Sequence, residues 1–275
     1  PLRPPPVAPP DAVPGHRPGE RSVIVLSAAA DSLPGMPETP TLTNLLDDAA
    51  LLSYEHQIHL GEVLGEHSWH FDLREGRFEF TGDRPLVCTG FHLLGTAAPG
   101  PRSWLWGWAN PAGFPEPVVA LSASLRDFGR RNGIAELAAA EVPFDALPHS
   151  PTEPANVAYL MGDAAKAVSG KWTYYSGHVG GGTRAAFLIE HPDFELPPPE
   201  PARVMRVLGE GLASLPLSDH RRALHGYAVR RGLEAAFAPD RARLTITGPN
   251  FEVVAEFDEQ GRVASVDGTA TGGSD

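Results

Sequence analysis

The chain has 275 residues, 42% of them hydrophobic, a formal charge of -12 and a single cysteine, Cys88. This length buries one sizeable core and a smaller second one, and a lone thiol excludes both an intramolecular disulfide and a cysteine-held zinc. The acidic balance repels phosphate backbones and no stretch reaches the roughly 18 apolar residues of a membrane span, so neither nucleic acid nor a membrane is an expected partner.

A reducing, cytoplasmic location suits the cysteine usage. Only Lys166 and Lys171 are lysines and every other fixed cation is arginine, which together with abundant alanine points to a GC-rich bacterial genome. Residues 1–21 are rich in proline and poor in apolar side chains, too poor to offset the entropy of ordering, and read as an extended tail. Ser22 to Ser27 is a short β-branched run that could add an edge strand, and the turn-rich stretch up to residue 40 closes this first region.

The body is expected to span residues 41–196. From Thr43 to Glu66 apolar residues recur at helical spacing, with Thr43 as the N-cap and a break near Gly61. Four strands follow: Ser68 to Leu73, Arg77 to Thr81, Leu86 to Thr96, and Ser103 to Asn110. Short turns make neighbours antiparallel. Ser122 to Asn132 reads as a helix closed by Gly133, and a helix capped by Thr152, with Pro154 inside its first turn, carries a narrow stripe through Val157, Met161, Ala164, Ala165 and Val168 and ends near Gly170. Strands Trp172 to His178 and Arg184 to Glu190 flank a glycine-rich tip. After the prolines at 197–199, residues 200–268 read as two helices and a four-stranded meander. The fold class is therefore α+β: an antiparallel sheet of about six strands with helices on one face, plus a smaller helix-helix-meander module.

The most unusual segment is Ser103-Trp104-Leu105-Trp106-Gly107-Trp108-Ala109-Asn110-Pro111. Strand alternation puts Trp104, Trp106 and Trp108 on one face. Core packing is the expected role, with an aromatic ligand platform as the alternative, and either leaves room for a partly polar cavity at the edge of the ladder. Ligand-binding candidates are Trp104, Trp106, Trp108, Asn110, His92, His178 and Arg184. His92 alternates with Phe91 on a strand, and His178 and Arg184 stand beside the glycine loop, where Arg184 could meet an anion.

On these residues the chain resembles a bacterial family, common in actinobacteria, that has no assigned activity. His67 to Phe80, Leu93-Leu94-Gly95-Thr96, Trp104 to Pro111, and Phe128-Gly129 with Gly133-Ile134 carry the resemblance, over about residues 45–195. It implies a domain and no chemistry.

Other constellations have bland readings. Glu55, His59, Glu62 and Glu66 share a helix face, yet a carboxylate–histidine metal site needs ligands from facing helices, so a solvated face is expected and no metal. The glycine run Gly180-Gly181-Gly182 lacks the ending of a phosphate loop. No nucleophile elbow is present, no cofactor motif was found, and Cys88 reads as a buried thiol. Arginines at 203, 206, 221, 222, 230 and 231 concentrate positive charge on two helices, which could dock an acidic partner or the first domain or, equally, pair i,i+4 with Glu and Asp on solvated helices. The leading functional expectation is a non-catalytic binding or interaction protein holding a small apolar or aromatic ligand, or a protein partner. A small-molecule, hydrolase-like enzyme with a site beside the tryptophan strand is the first alternative, and a purely structural partner module is the second.

Overall fold

A computed structural model describes residues 39–270. The tail at 1–21 and the run Ser22 to Ser27 lie outside the described residues. Among the described residues the chain forms six α-helices and three antiparallel sheets, an α+β architecture.

Helix α1 (Leu42–Leu64) begins two residues earlier than the apolar periodicity alone suggests. Thr41 Oγ1 accepts from the Asn44 backbone N–H at 3.1 Å while Asn44 Oδ1 accepts from the Thr41 N–H at 3.0 Å. This reciprocal pair is a capping box, with asparagine in place of the usual glutamate or glutamine, and it makes Thr41 the N-cap rather than Thr43. The helix runs through Gly61 without a break.

Strands β1 (His67–Asp72), β2 (Arg77–Gly82) and β3 (Leu86–Val87) form a three-stranded sheet. The chain then changes sheets at Cys88 and Thr89: the Cys88 N–H still donates to Phe78 O, but the Thr89 N–H donates to Glu190 O. Beyond that point β4 (Gly90–Ala98) and β5 (Ser103–Trp106) belong to a five-stranded sheet. Helices α2 (Glu116–Asn132) and α3 (Ala135–Ala138), strand β6 (Glu141–Pro143), helix α4 (Pro154–Ser169) and strands β7 (Tyr174–Gly180) and β8 (Thr183–Glu190) complete this part, in the order β6-β5-β4-β8-β7. Gly133 ends α2 at φ 69°, a conformation suited to a residue without Cβ.

The single six-stranded sheet of the sequence reading is thus divided in two, and both faces of the large sheet are covered. Along β8, Ala186 and Leu188 face α2 and α4, whereas Ala185, Phe187 and Ile189 face the small sheet. A strand buried on both sides reads as a continuous apolar run, as Ala185 to Ile189 does. The interface between the sheets is aromatic, with Phe187 ring centroids 5.2 Å from those of Phe78 and Phe71. Gly177 on β7 lies directly under the Trp69 indole, where any Cβ would collide with the ring.

Helices α5 (Pro201–Ser214) and α6 (His220–Arg230) precede the meander β9 (Glu234–Phe237), β10 (Arg243–Thr247), β11 (Phe251–Phe257) and β12 (Val263–Ala270). These four strands pair in chain order. Their core includes Val207, Leu224, Tyr227, Ile246 and Phe251, joined by Leu51 and Leu52 of α1.

Candidate interaction site on helix α1

Helix α1 presents two chemically different stripes. Leu42, Leu45 and Ser53 lie on the side of α4, while Asp48, Leu51, Leu52, Glu55 and Glu62 lie on the side of α5 and α6.

On the first side, Ser53, Asp163 and Lys166 form a buried polar knot. Lys166 Nζ donates to Ser53 Oγ at 2.5 Å and to Asp163 Oδ1 at 3.1 Å, and Ser53 Oγ donates to the same Asp163 oxygen at 2.6 Å. The Lys166 side chain is 0% exposed. Its ammonium lies 4.9 Å from the Tyr174 ring centroid and 5.3 Å from that of Tyr159, positions where ring quadrupoles favour a cation. Burial pushes the Asp163 carboxyl up and the Lys166 ammonium down, each toward its neutral form, and their mutual attraction opposes both shifts. The donor chain and the two aromatic faces fit the ionised pair. Burial also raises both tyrosine hydroxyls, so neither is a proton source at neutral pH.

On the second side, carboxylates of α1 meet arginines of the C-terminal helices. Arg222 donates Nη2 to Asp48 Oδ2 at 2.8 Å and Nε to the backbone oxygen of Asn44 at 3.1 Å, with Nε also 2.7 Å from Asp48 Oδ1, and Arg230 Nη2 adds a contact at 3.3 Å. Glu55 is 0% exposed, and its Oε2 accepts from Arg231 Nε and from Tyr227 Oη, each at 3.0 Å. Arg203 lies between two acids, with Nε 3.3 Å from Glu55 and Nη1 2.8 Å from Glu62. Asp47 accepts the backbone N–H groups of Ser218 and Asp219 at 2.8 and 3.0 Å. Burial outweighs those two bonds and raises the Asp47 carboxyl to about 6. Glu55 therefore does not belong to a solvated face, because the packing of α5 and α6 onto α1 encloses it. His56, stacked on Trp172 with centroids 6.1 Å apart, is pushed down to about 3 by burial and stays neutral.

The sequence-selected residues are dispersed. Trp104 and Trp106 are fully buried in the helix-side core with rings at 89° to each other, and Trp106 Nε1 donates to Glu136 O at 2.9 Å. Trp108 leaves the ladder because Gly107 to Ala109 form a 3-10 turn that ends the two-residue alternation. Its half-buried indole carries the Arg126 guanidinium 5.0 Å from the ring centre. Asn110 folds its Oδ1 back onto the Ala112 N–H. On the exposed hairpin, Arg184 Nη1 donates to His178 Nε2 at 3.1 Å. His92 stands apart from all of these: its Nε2 is 2.8 Å from Glu190 Oε1, and Lys171 Nζ holds the other Glu190 oxygen at 2.5 Å. Burial lowers His92; it also pushes Glu190 up, but the bonds from Lys171 and His92 outweigh it and hold that carboxylate below its usual range.

Two surface hollows, of about 420 and 230 Å³, lie on the C-terminal part; the first is lined by residues such as Asp240, Arg243 and Phe257 and the second by His220, Arg221 and Arg262. Neither borders a ligand-binding candidate of the sequence reading, although the second includes Arg221 of the arginine group. Among the described residues no cluster of three or more His, Cys, Asp or Glu side chains could hold a metal, and no helix is long and apolar enough to cross a membrane.

From sequence, the buried knot and Asp47 and Asp48 pass unnoticed, and Glu55 reads as a solvated carboxylate. A signal for the knot existed: Asp163 and Lys166 interrupt the otherwise apolar and small run Met161 to Val168 at i,i+3 spacing. For the carboxylate row, what was missing was knowledge of which helix would cover it.

No curated protein and no solved structure matches the chain. A family model described as a family of unknown function, DUF6882, matches residues 43–192. That span begins inside α1, contains the whole three- and five-stranded sheets, and stops before α5; the chain belongs to this family.

Proposed function

We propose that the chain is a non-catalytic interaction protein whose family domain holds a protein partner on helix α1. The observation that carries this reading is that α1 lies within the family match while the helices covering its Leu51, Leu52, Asp48 and Glu55 lie beyond it. The face belongs to the family unit, and in this chain its occupant is supplied by a second unit at residues 200–270. The partner is a protein surface rather than a small molecule, since the contacts are spread along one helix instead of converging on a cavity. A cytoplasmic setting is part of this reading. Burial holds the Cys88 thiol up at about 12, an unreactive form suited to a reducing compartment.

The test is to replace the prolines at 197–199 with a protease site and cut the folded protein. The two pieces should travel together on a sizing column and, once parted in mild urea and returned to buffer, each should keep its far-ultraviolet circular dichroism. Pieces that unfold when parted would mean that they share one indivisible core, and the docking reading would fall.

A second reading has its own observation, the His92–Glu190 pair with Lys171 behind it. His92 is half-buried, and its carboxylate partner fits the base–orienter geometry of a hydrolase acting on a small ester. Turnover of simple aryl esters that disappears in His92→Asn would support it. Equal turnover by the two proteins would remove it.

A further inference from the structure

The docking reading leaves open what kind of partner the α1 face selects. We infer that this face is a guanidinium-specific docking site, with the α5–α6 pair as its resident occupant and the same unit of a second copy of the chain able to replace it. The inference rests on the interaction reading above.

The geometry around Glu55 carries the specificity. Arg231 presents Nε to the buried Glu55 carboxylate and still reaches Pro197 O with Nη2 at 2.5 Å. Arg203 donates Nη1 to Glu62 while its Nε stands 3.3 Å from Glu55 as an ion pair, and Arg222 joins Asp48 through Nη2 to the Asn44 backbone oxygen through Nε. Each of these tasks needs donors fixed in a plane several ångströms wide. A lysine ammonium carries its three N–H groups on one compact, more strongly hydrated centre, so it can serve acceptors that lie close together, as Lys166 does, but not acceptors held several ångströms apart. At Glu55, where the carboxylate is 0% exposed, the acceptor left behind would have no water to turn to.

Exchangeability follows from where the apolar contacts lie. The C-terminal core is built mainly from its own helices and meander; α1 contributes buried Leu51 and Leu52, with partly buried Tyr54 and Ile58 and, from outside the helix, Trp172 packed against it. Removing the unit from α1 therefore leaves its internal packing largely intact. It uncovers a short apolar strip rimmed by Asp47, Asp48, Glu55 and Glu62, and the surface complementary to that strip is the one the departing unit carries. A second copy offers the same arginines at the same helical spacing, so the replacement contact is identical to the resident one.

The experiment uses the full chain cut at 197–199, prepared once with natural isotopes and once with nitrogen-15. Mixed and followed by native mass spectrometry, the two preparations should form hybrids of a light family piece with a heavy C-terminal piece. A dilution series then gives the dissociation constant. Arg231→Lys should weaken the complex about tenfold or more, and Arg222→Lys should also weaken it, while Arg262→Lys, an exposed position paired with Asp258 in the meander and away from α1, should leave it unchanged. Circular dichroism of each cut variant checks that its pieces are folded. If Arg231→Lys and Arg222→Lys both bind as tightly as the parent, the site is not guanidinium-specific. If the cut complex persists without forming hybrids, the occupant is not exchangeable. Either result overturns the inference while leaving the docking reading standing, whereas unfolding of the parted parent pieces defeats both.

Discussion

Helix α1 carries two charged networks whose surroundings differ. The knot of Ser53, Asp163 and Lys166 joins α1 to α4 inside the family unit, and its lysine is entirely enclosed. The arginine lattice joins α1 to α5 and α6, with Glu55 at its sealed centre and Glu62 and Arg206 at a wet rim. A charge pair with no exposed member cannot trade its partner for water, so it behaves as a fixed joint. A lattice graded from buried to exposed can be loosened from its rim, and that gradation suits a contact that has to open.

The largest expected difference comes from breaking the knot. Lys166→Ala strands a buried carboxylate and should lower stability by about 3–5 kcal/mol, read as a shift in the urea midpoint. A drop below 1 kcal/mol would mean that water enters the site and that the joint is not fixed.

Next in size is the pH response of the lattice through Asp47. Its folded pKa near 6 stands above the ordinary 3.8, so between those values the folded state binds more protons than the unfolded chain. The contribution of Asp47 to stability should fall as pH rises through that window, by roughly 3 kcal/mol at 1.36 kcal/mol per unit, and level off above it; it is read as the difference between the parent and Asp47→Asn, because buried His56 adds a slope of opposite sign to both. Asp47→Asn should remove this slope. Parallel stability–pH curves for the parent and Asp47→Asn from pH 4 to 7 would show that Asp47 does not titrate there.

The smallest change belongs to the double substitution Lys166→Met with Asp163→Leu. Replacing a buried pair by apolar groups of similar volume should leave stability within about 1 kcal/mol of the parent or above it. A loss as large as that of Lys166→Ala would show that the pair is worth more than its desolvation cost.

Much of this arrangement is written locally in the chain. The helix closed by Gly133, the hairpin over 67–82 and the meander after residue 233 are each set by periodicity and turn residues within a few positions, and they form where those signals lie. The division into two sheets is less local, because it depends on Thr89 pairing with Glu190, a partner 101 residues away. For the same reason Glu55 reads as a solvated carboxylate on its own helix: Arg231 and Tyr227, which enclose it, lie 176 and 172 residues further on. Trp108 shows a finer limit. Alternation predicts its side, but the strand ends at Trp106 and takes the third indole out of the ladder.

The distance along the chain between Asp48 and Arg230, 182 residues, also has a meaning in time. A ribosome adding about 5–20 residues per second delivers Arg230 roughly 10–40 s after Asp48, so α1 is made early and covered late. Over the last third of that interval its α4 side can already be satisfied, because Lys166 is made 64 residues before Arg230. The nascent family unit therefore passes through a stage in which Leu51, Leu52 and the acids beside them face the cell, and the -12 charge of the finished chain is anticipated by a local excess of carboxylate on that face. Like charge on neighbouring nascent chains keeps such strips apart. The acids that later bind arginine thus serve first as the guard of an unfinished surface.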